Sequence, residues 1–182
     1  MLTDAEDGAL PASLAELKTY LRIAGEEEDM VLSALLRGAG ALCERFTGQW
    51  LIVRRTRETL FGAERASGAW QRLSARPVVA IETVEAVRAD GAARPLPVDA
   101  YAVDIDGNGE GWVRIAQAGI AGTIAVTYRA GLASDGDGVP QALRQGIVRL
   151  AADHYLARGN DSATPPAVVS ALWRPWRGMR LT

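Results

Sequence analysis

The sequence predicts an α+β fold in which a helical bundle is formed by the N- and C-terminal parts, residues 1–48 and 132–182, with an antiparallel β subdomain, residues 49–131, inserted between them. Three observations predict it. Leucines recur at spacings of three and four up to Thr47-Gly48 and again after Pro140, the period of an amphipathic helix. Between these stretches the chain turns to short Val-, Ile- and Thr-rich runs separated by Asp-Gly turns, the pattern of an antiparallel sheet. A Gly- and Asp-rich linker, residues 131–138, then marks the return to helix.

The first helix is announced by Ser13 and Glu16, a capping box in which hydroxyl and carboxylate each satisfy a free backbone N–H. Leu14, Leu17 and Leu21 give it one apolar face, and a break is expected around Gly25. Glu26, Glu27, Glu28 and Asp29 follow, four acids where the positive end of a helix dipole favours them. The second helix carries Leu32, Leu35, Leu36, Ala39, Leu42, Cys43 and Phe46 on its stripe and ends at Gly48.

Strands are expected at 50–60, where Arg54, Arg55 and Arg57 are interspersed in a strand with one wet face, and at 78–87, 101–105, 111–115 and 122–128. Turn signals at Asp90-Gly91, Asp106-Gly107 and Gly119 separate them, and the even spacing points to an antiparallel meander or a small barrel. Pro140 suits the first position of a third helix, whose stripe is Leu143, Ile147, Leu150, Ala151 and Tyr155, up to Arg158-Gly159. A polar loop, 160–166, leads to a tail rich in Trp and Arg.

The chain has 182 residues, enough to bury a core, and a net charge of -2. No apolar run is long enough for a transmembrane helix, and the acidic start is unlike a signal peptide, so a soluble protein made in a cytoplasm is expected. Charge is unevenly distributed. Residues 1–30 hold eight acids against Lys18 and Arg22, whereas residues 140–182 hold six arginines against Asp153 and Asp161. The two ends are either solvated faces or complementary patches that meet on neighbouring subunits. The basic residues form no dense run, which argues against a nucleic-acid groove.

Catalytic and metal-binding constellations are weak. Asp104, Asp106, Asn108 and Gly109 match the opening of a calcium loop, but Ile115 stands where the closing glutamate belongs, so a hairpin turn is expected. His154 is the single histidine and Cys43 the single cysteine, which leaves no set of zinc ligands and no intrachain disulfide. A small hydrolase using His154 with Asp153 or Asp161 is the enzymatic alternative, and it lacks a visible nucleophile. No cofactor, metal or catalytic residue is expected.

Trp173, Arg174, Pro175, Trp176 and Arg177 either cap the core from outside or dock on another chain, since Trp and Arg dominate binding hot spots. The docking reading takes in Val169, Leu172, Trp173, Arg174, Trp176, Arg177 and Met179. A monomeric module whose tail takes a peptide or a membrane surface is the further alternative.

Four segments together resemble the phage head-tail connector (adaptor) family, including the equivalent subunit of gene transfer agents. They are Ser13 to Ile23, Glu28-Asp29 to Leu36, Cys43 to Gly48, and Val139-Pro140 to Tyr155. The β insertion is matched only loosely. The resemblance implies a ring, typically of twelve copies, beneath the portal, extending the DNA channel and receiving a tail-side neck (stopper) protein on its other end. It also implies that the C-terminal segment reaches the portal protein, that DNA passes without sequence-specific binding, and that the protein resides in the neck of a particle made in a bacterial host. A cyclic ring needs two different patches that fit each other. Glu26, Glu27, Glu28 and Asp29 are the expected acidic patch, and Arg144 and Arg149 belong to the basic one.

Overall fold

The computed structural model describes residues 2–4, 9–60, 68–116, 123–157 and 165–178. The chain divides into two compact units: a helical unit, Asp7–Ile52 with Leu132–Thr182, and a β unit, Met1–Glu6 with Val53–Gly131. Residues 2–4 thus go with the strands rather than the helices, because β1 (Leu2–Asp4) pairs antiparallel with β2 (Arg54–Leu60).

In the helical unit, α1 (Leu14–Leu21) is capped by Ser13, whose hydroxyl accepts from the Glu16 N–H at 3.4 Å. It ends at Arg22, three residues before Gly25. Arg22 takes the left-handed conformation at φ 60°, and the Ile23 N–H donates to the Lys18 carbonyl at 2.9 Å. α2 (Asp29–Thr47) places Leu32, Leu36, Ala39 and Cys43 in the core and stops at Gly48, whose φ of 69° is what a helix-terminating glycine supplies. α3 (Gln141–Ala157) buries Leu143, Gly146, Ile147, Leu150 and Ala151 against them, and α4 (Ala167–Trp173) adds Val169 and Trp173 to the same core. Burial of each large side chain contributes roughly 1.5–3 kcal/mol. Residues 50–52, expected to open a strand, belong to the helical unit: the Leu132 and Ala133 N–H groups donate to the Trp50 and Leu51 carbonyls.

The remaining strands of the β unit are β3 (Gln71–Arg72), β4 (Val78–Val87), β5 (Ala93–Pro95), β6 (Tyr101–Ile105), β7 (Gly111–Ile115) and β8 (Thr123–Ala130). They form a five-stranded antiparallel sheet, β1-β2-β8-β4-β5, and a three-stranded one, β3-β7-β6. This corrects the expected meander or barrel. The last strand, β8, lies in the centre and pairs β2 on one side and β4 on the other. Its sequence explains the position: Ile124, Ala125, Val126, Thr127 and Tyr128 are consecutive buried residues, so both faces of the strand need cover.

A polar knot ties β8, β2 and the segment 74–75. The Tyr128 hydroxyl donates to Glu58 at 2.7 Å and accepts from the Ala75 N–H at 3.1 Å, while Ser74 bonds the same carboxylate through its N–H and hydroxyl. Burial first, and then the bond to Glu58, hold the Tyr128 phenol well above its ordinary pKa. On the opposite face, Arg55 pairs with Glu82 at 2.7 Å and Arg57 with Glu85 at 2.9 Å.

Candidate assembly surfaces

The acid run before α2 is divided by the structure. Asp29 receives the Lys18 ammonium at 2.7 Å, and Glu28 accepts from the Tyr155 hydroxyl, so these two acids tie α2 to α1 and α3. Glu26 and Glu27 form the exposed turn outside, and neither carboxylate has a partner among the described residues. Beside them Met30 is 85% exposed and Val31 is exposed as well, although both are apolar. The projecting feature is therefore amphipathic rather than purely acidic.

Arg144 and Arg149, the expected basic partners, line one cleft of about 240 Å³ together with Glu16, Tyr20, Gln141, Gln145 and Val148. The cleft lies between α1 and the first half of α3. Glu16 and Tyr20, four residues apart, share the face of α1 that borders it. The Arg144 Nη1 donates to the Asp137 carbonyl at 2.9 Å, while its Nε is shut off from solvent and has no hydrogen-bond partner among the described residues. Arg149 is exposed on the rim. Nothing in the sequence assigns Glu16, Tyr20 or Val148 to a surface site, because a cleft between two helices distant in sequence leaves no signal along either one.

The C-terminal segment is corrected in part. Val169 and Trp173, expected on a partner-binding surface, are buried in the helical core, Trp173 completely. The Trp173 indole N–H donates to the Leu143 carbonyl at 3.3 Å, and its ring meets Phe46 at 5.8 Å. It fits because position 146 is glycine: a Cβ there would come within 2.1 Å of the indole nitrogen. Leu172 and Trp176 are half-buried against the same core, and Gln49 donates to the Trp176 carbonyl. What faces outward is Arg174 and Arg177, the latter with its guanidinium 5.8 Å from the Phe46 ring. Met179 lies outside the described residues.

The enzymatic candidates gain nothing from the fold. His154 is half-buried on the last turns of α3, its neighbour Asp153 is exposed, and Asp161 lies outside the described residues. Burial, with Glu44 adding to it, pushes the Cys43 thiol up to about 12, which makes it a poor nucleophile. Asp106 is occupied by its own hairpin: its carboxylate accepts from the Asn108 and Glu110 N–H groups at 2.8 and 2.9 Å. These bonds to the ionised form, that to Glu110 foremost, hold its pKa below the usual range.

The sequence matches no protein-family model and no curated protein. Solved structures do match over the whole chain. One is a chain in the neck of an empty gene transfer agent particle computed with C6 symmetry, 25% identical with a TM-score of 0.77. Another is in the neck of the native particle computed with C12 symmetry, 26% identical with the same TM-score. A third, in the native gene transfer agent virion, is 26% identical with a TM-score of 0.75. Each comparison covers 100% of this chain and 98% of the other. The α+β fold is that of a gene transfer agent neck protein.

Proposed function

We propose that this chain is a structural, non-enzymatic neck subunit of a gene transfer agent or tailed phage, an adaptor that forms a ring beneath the portal and joins head to tail. The observation that carries this reading is the two-way full-length similarity to neck chains, which takes in both units and leaves only 2% of the other chain uncovered. A ring of twelve copies fits the symmetry under which one of those necks was computed. Function in such a ring is geometric: it extends the channel through which DNA passes and presents its far end to a tail-side stopper protein. A net charge of -2 suits a channel that must not hold phosphates tightly.

The portal contact is assigned to the outward groups of the C-terminal segment, Arg174, Arg177, and the open edges of Leu172 and Trp176, together with Met179. Removing the whole segment would not test this, since it would take Val169 and Trp173 out of the core. Charge reversal at Arg174 and Arg177 leaves the core intact. The reading expects the double variant to lose co-purification with the portal protein of the same particle while its circular dichroism stays unchanged. Retained binding would remove the portal assignment. Absence of the unsubstituted chain from purified particles, checked by mass spectrometry, would remove the neck reading itself.

A further inference from the structure

We infer that the cleft between α1 and α3 is a socket for a second copy of this chain, and that the turn carrying Glu26, Glu27 and Met30 is what enters it. The inference rests on the ring reading above and names the contact that would close the ring. Charge complementarity comes first. The cleft is lined by two guanidiniums, Arg144 and Arg149, and one carboxylate, Glu16. The Asp137 carboxylate reaches Arg144 at 3.8 Å from outside the lining, which leaves Arg149 without an ion pair among the described residues, and the turn offers two carboxylates without partners among them. Arg144 adds a specific demand. Its Nη1 is occupied by Asp137, and its Nε is shut off from solvent with no acceptor among the described residues, so a small swing of the guanidinium toward an incoming carboxylate would satisfy it.

Shape and polarity agree. Tyr20, 56% exposed, and Val148 give the cleft an apolar wall, and Met30 and Val31 give the turn an apolar side. Exposed apolar groups flanked by complementary charges are the composition of an interface.

Within one copy the turn and the socket are set apart. Glu28 is held by Tyr155, which lies eleven residues along α3 from Arg144 and six from Arg149, about 16 and 9 Å at the helical rise. α1 also stands between the two features: Glu16 and Tyr20 border the cleft, while Lys18, roughly 200° round the helix, reaches to Asp29. Turn and socket are thus different patches on opposite sides of one helix. A contact between them is head-to-tail, and it repeats from copy to copy until the ring closes.

The test is a cross-link in particles purified from the producing cells. A chain carrying both Glu27→Cys and Gln145→Cys should give a ladder of covalent multimers on mild oxidation, and either substitution alone should give monomers. Buried Cys43 stays silent in this assay. Particles that contain the doubly substituted chain at normal level but yield only monomers would overturn the socket and leave the ring reading standing. Particles that lack even the unsubstituted chain would overturn both. As a second measurement, Glu27→Arg should lower incorporation about ten-fold, and adding Arg149→Glu should restore it, since both positions are exposed and neither belongs to the core. Failure of the reversed pair to restore incorporation counts against the contact.

Discussion

The helical unit and the β unit are held together by different means. In the helical unit the decisive contacts are apolar and converge on one side chain, Trp173, seated between Phe46, Leu143 and Gly146. In the β unit a polar knot, Tyr128 with Glu58 and the 74–75 backbone, joins β8 to β2, and ion pairs on the other face link β2 to β4. An apolar core announces itself by periodicity. A hydrogen-bonded knot between residues 58, 74 and 128 does not. The comparison teaches that the tryptophan most suggestive of a binding hot spot is a core residue, and that a tyrosine with no apparent role in the sequence links a central strand to its neighbour and to the 74–75 segment.

Four measurements sharpen or break this contrast. The largest effect is expected from Trp173→Ala, which empties a fully buried site and should cost about 3–5 kcal/mol in denaturant unfolding. A loss under about 1 kcal/mol would return Trp173 to a surface role. Next is Gly146→Val, whose side chain collides with the same indole. It should cost roughly 1–3 kcal/mol, and combined with Trp173→Ala it should cost less than the sum. Third, Tyr128→Phe removes a donor to Glu58 and leaves the Ala75 N–H unpaired, for about 1–2 kcal/mol. A neutral result would show that the knot follows from the sheet rather than joining it.

The smallest effect concerns acid. Because the folded hairpin lowers the Asp106 pKa, its contribution is present above the ordinary carboxylate range near pH 4 and is lost as pH falls through the folded value. Asp106→Asn should therefore flatten the acid limb of the unfolding curve and change little at pH 7. An unaltered acid limb would mean that the hairpin bonds persist in the unfolded chain.

Much of the fold was legible in the sequence. The N-cap at Ser13, the stop at Gly48, the turns at Asp90-Gly91 and Asp106-Gly107, and the strands 78–87, 101–105 and 111–115 all follow from local chemistry, while of the expected capping box only the Ser13 half forms. Local signals failed where pairing is remote. β1, β3 and β5 are two or three residues long, too short for any period to register, and each exists through its partner strand. The central place of β8 was open to a closer reading of Ile124-Ala125-Val126 and Tyr128, a nearly continuous apolar run that leaves no face for solvent.

The candidate surfaces divide in the same way. Composition pointed to the acidic and arginine-rich segments, and both supply exposed groups: Glu26, Glu27, Arg149, Arg174 and Arg177. It did not separate these from neighbours of the same type that hold the unit together, namely Glu28 with Tyr155, Asp29 with Lys18, and Trp173 with Leu143.

By itself the sequence determined the α+β class, the order of the long helices and most strands, and which segments carry unbalanced charge, because period, capping and charge are properties of neighbouring residues. The tertiary structure alone decided the strand order, the burial of Val169 and Trp173, the split within the acid run and the cleft that gathers Glu16, Tyr20, Arg144 and Arg149. Each of these depends on which distant residues meet, and only packing selects the partner.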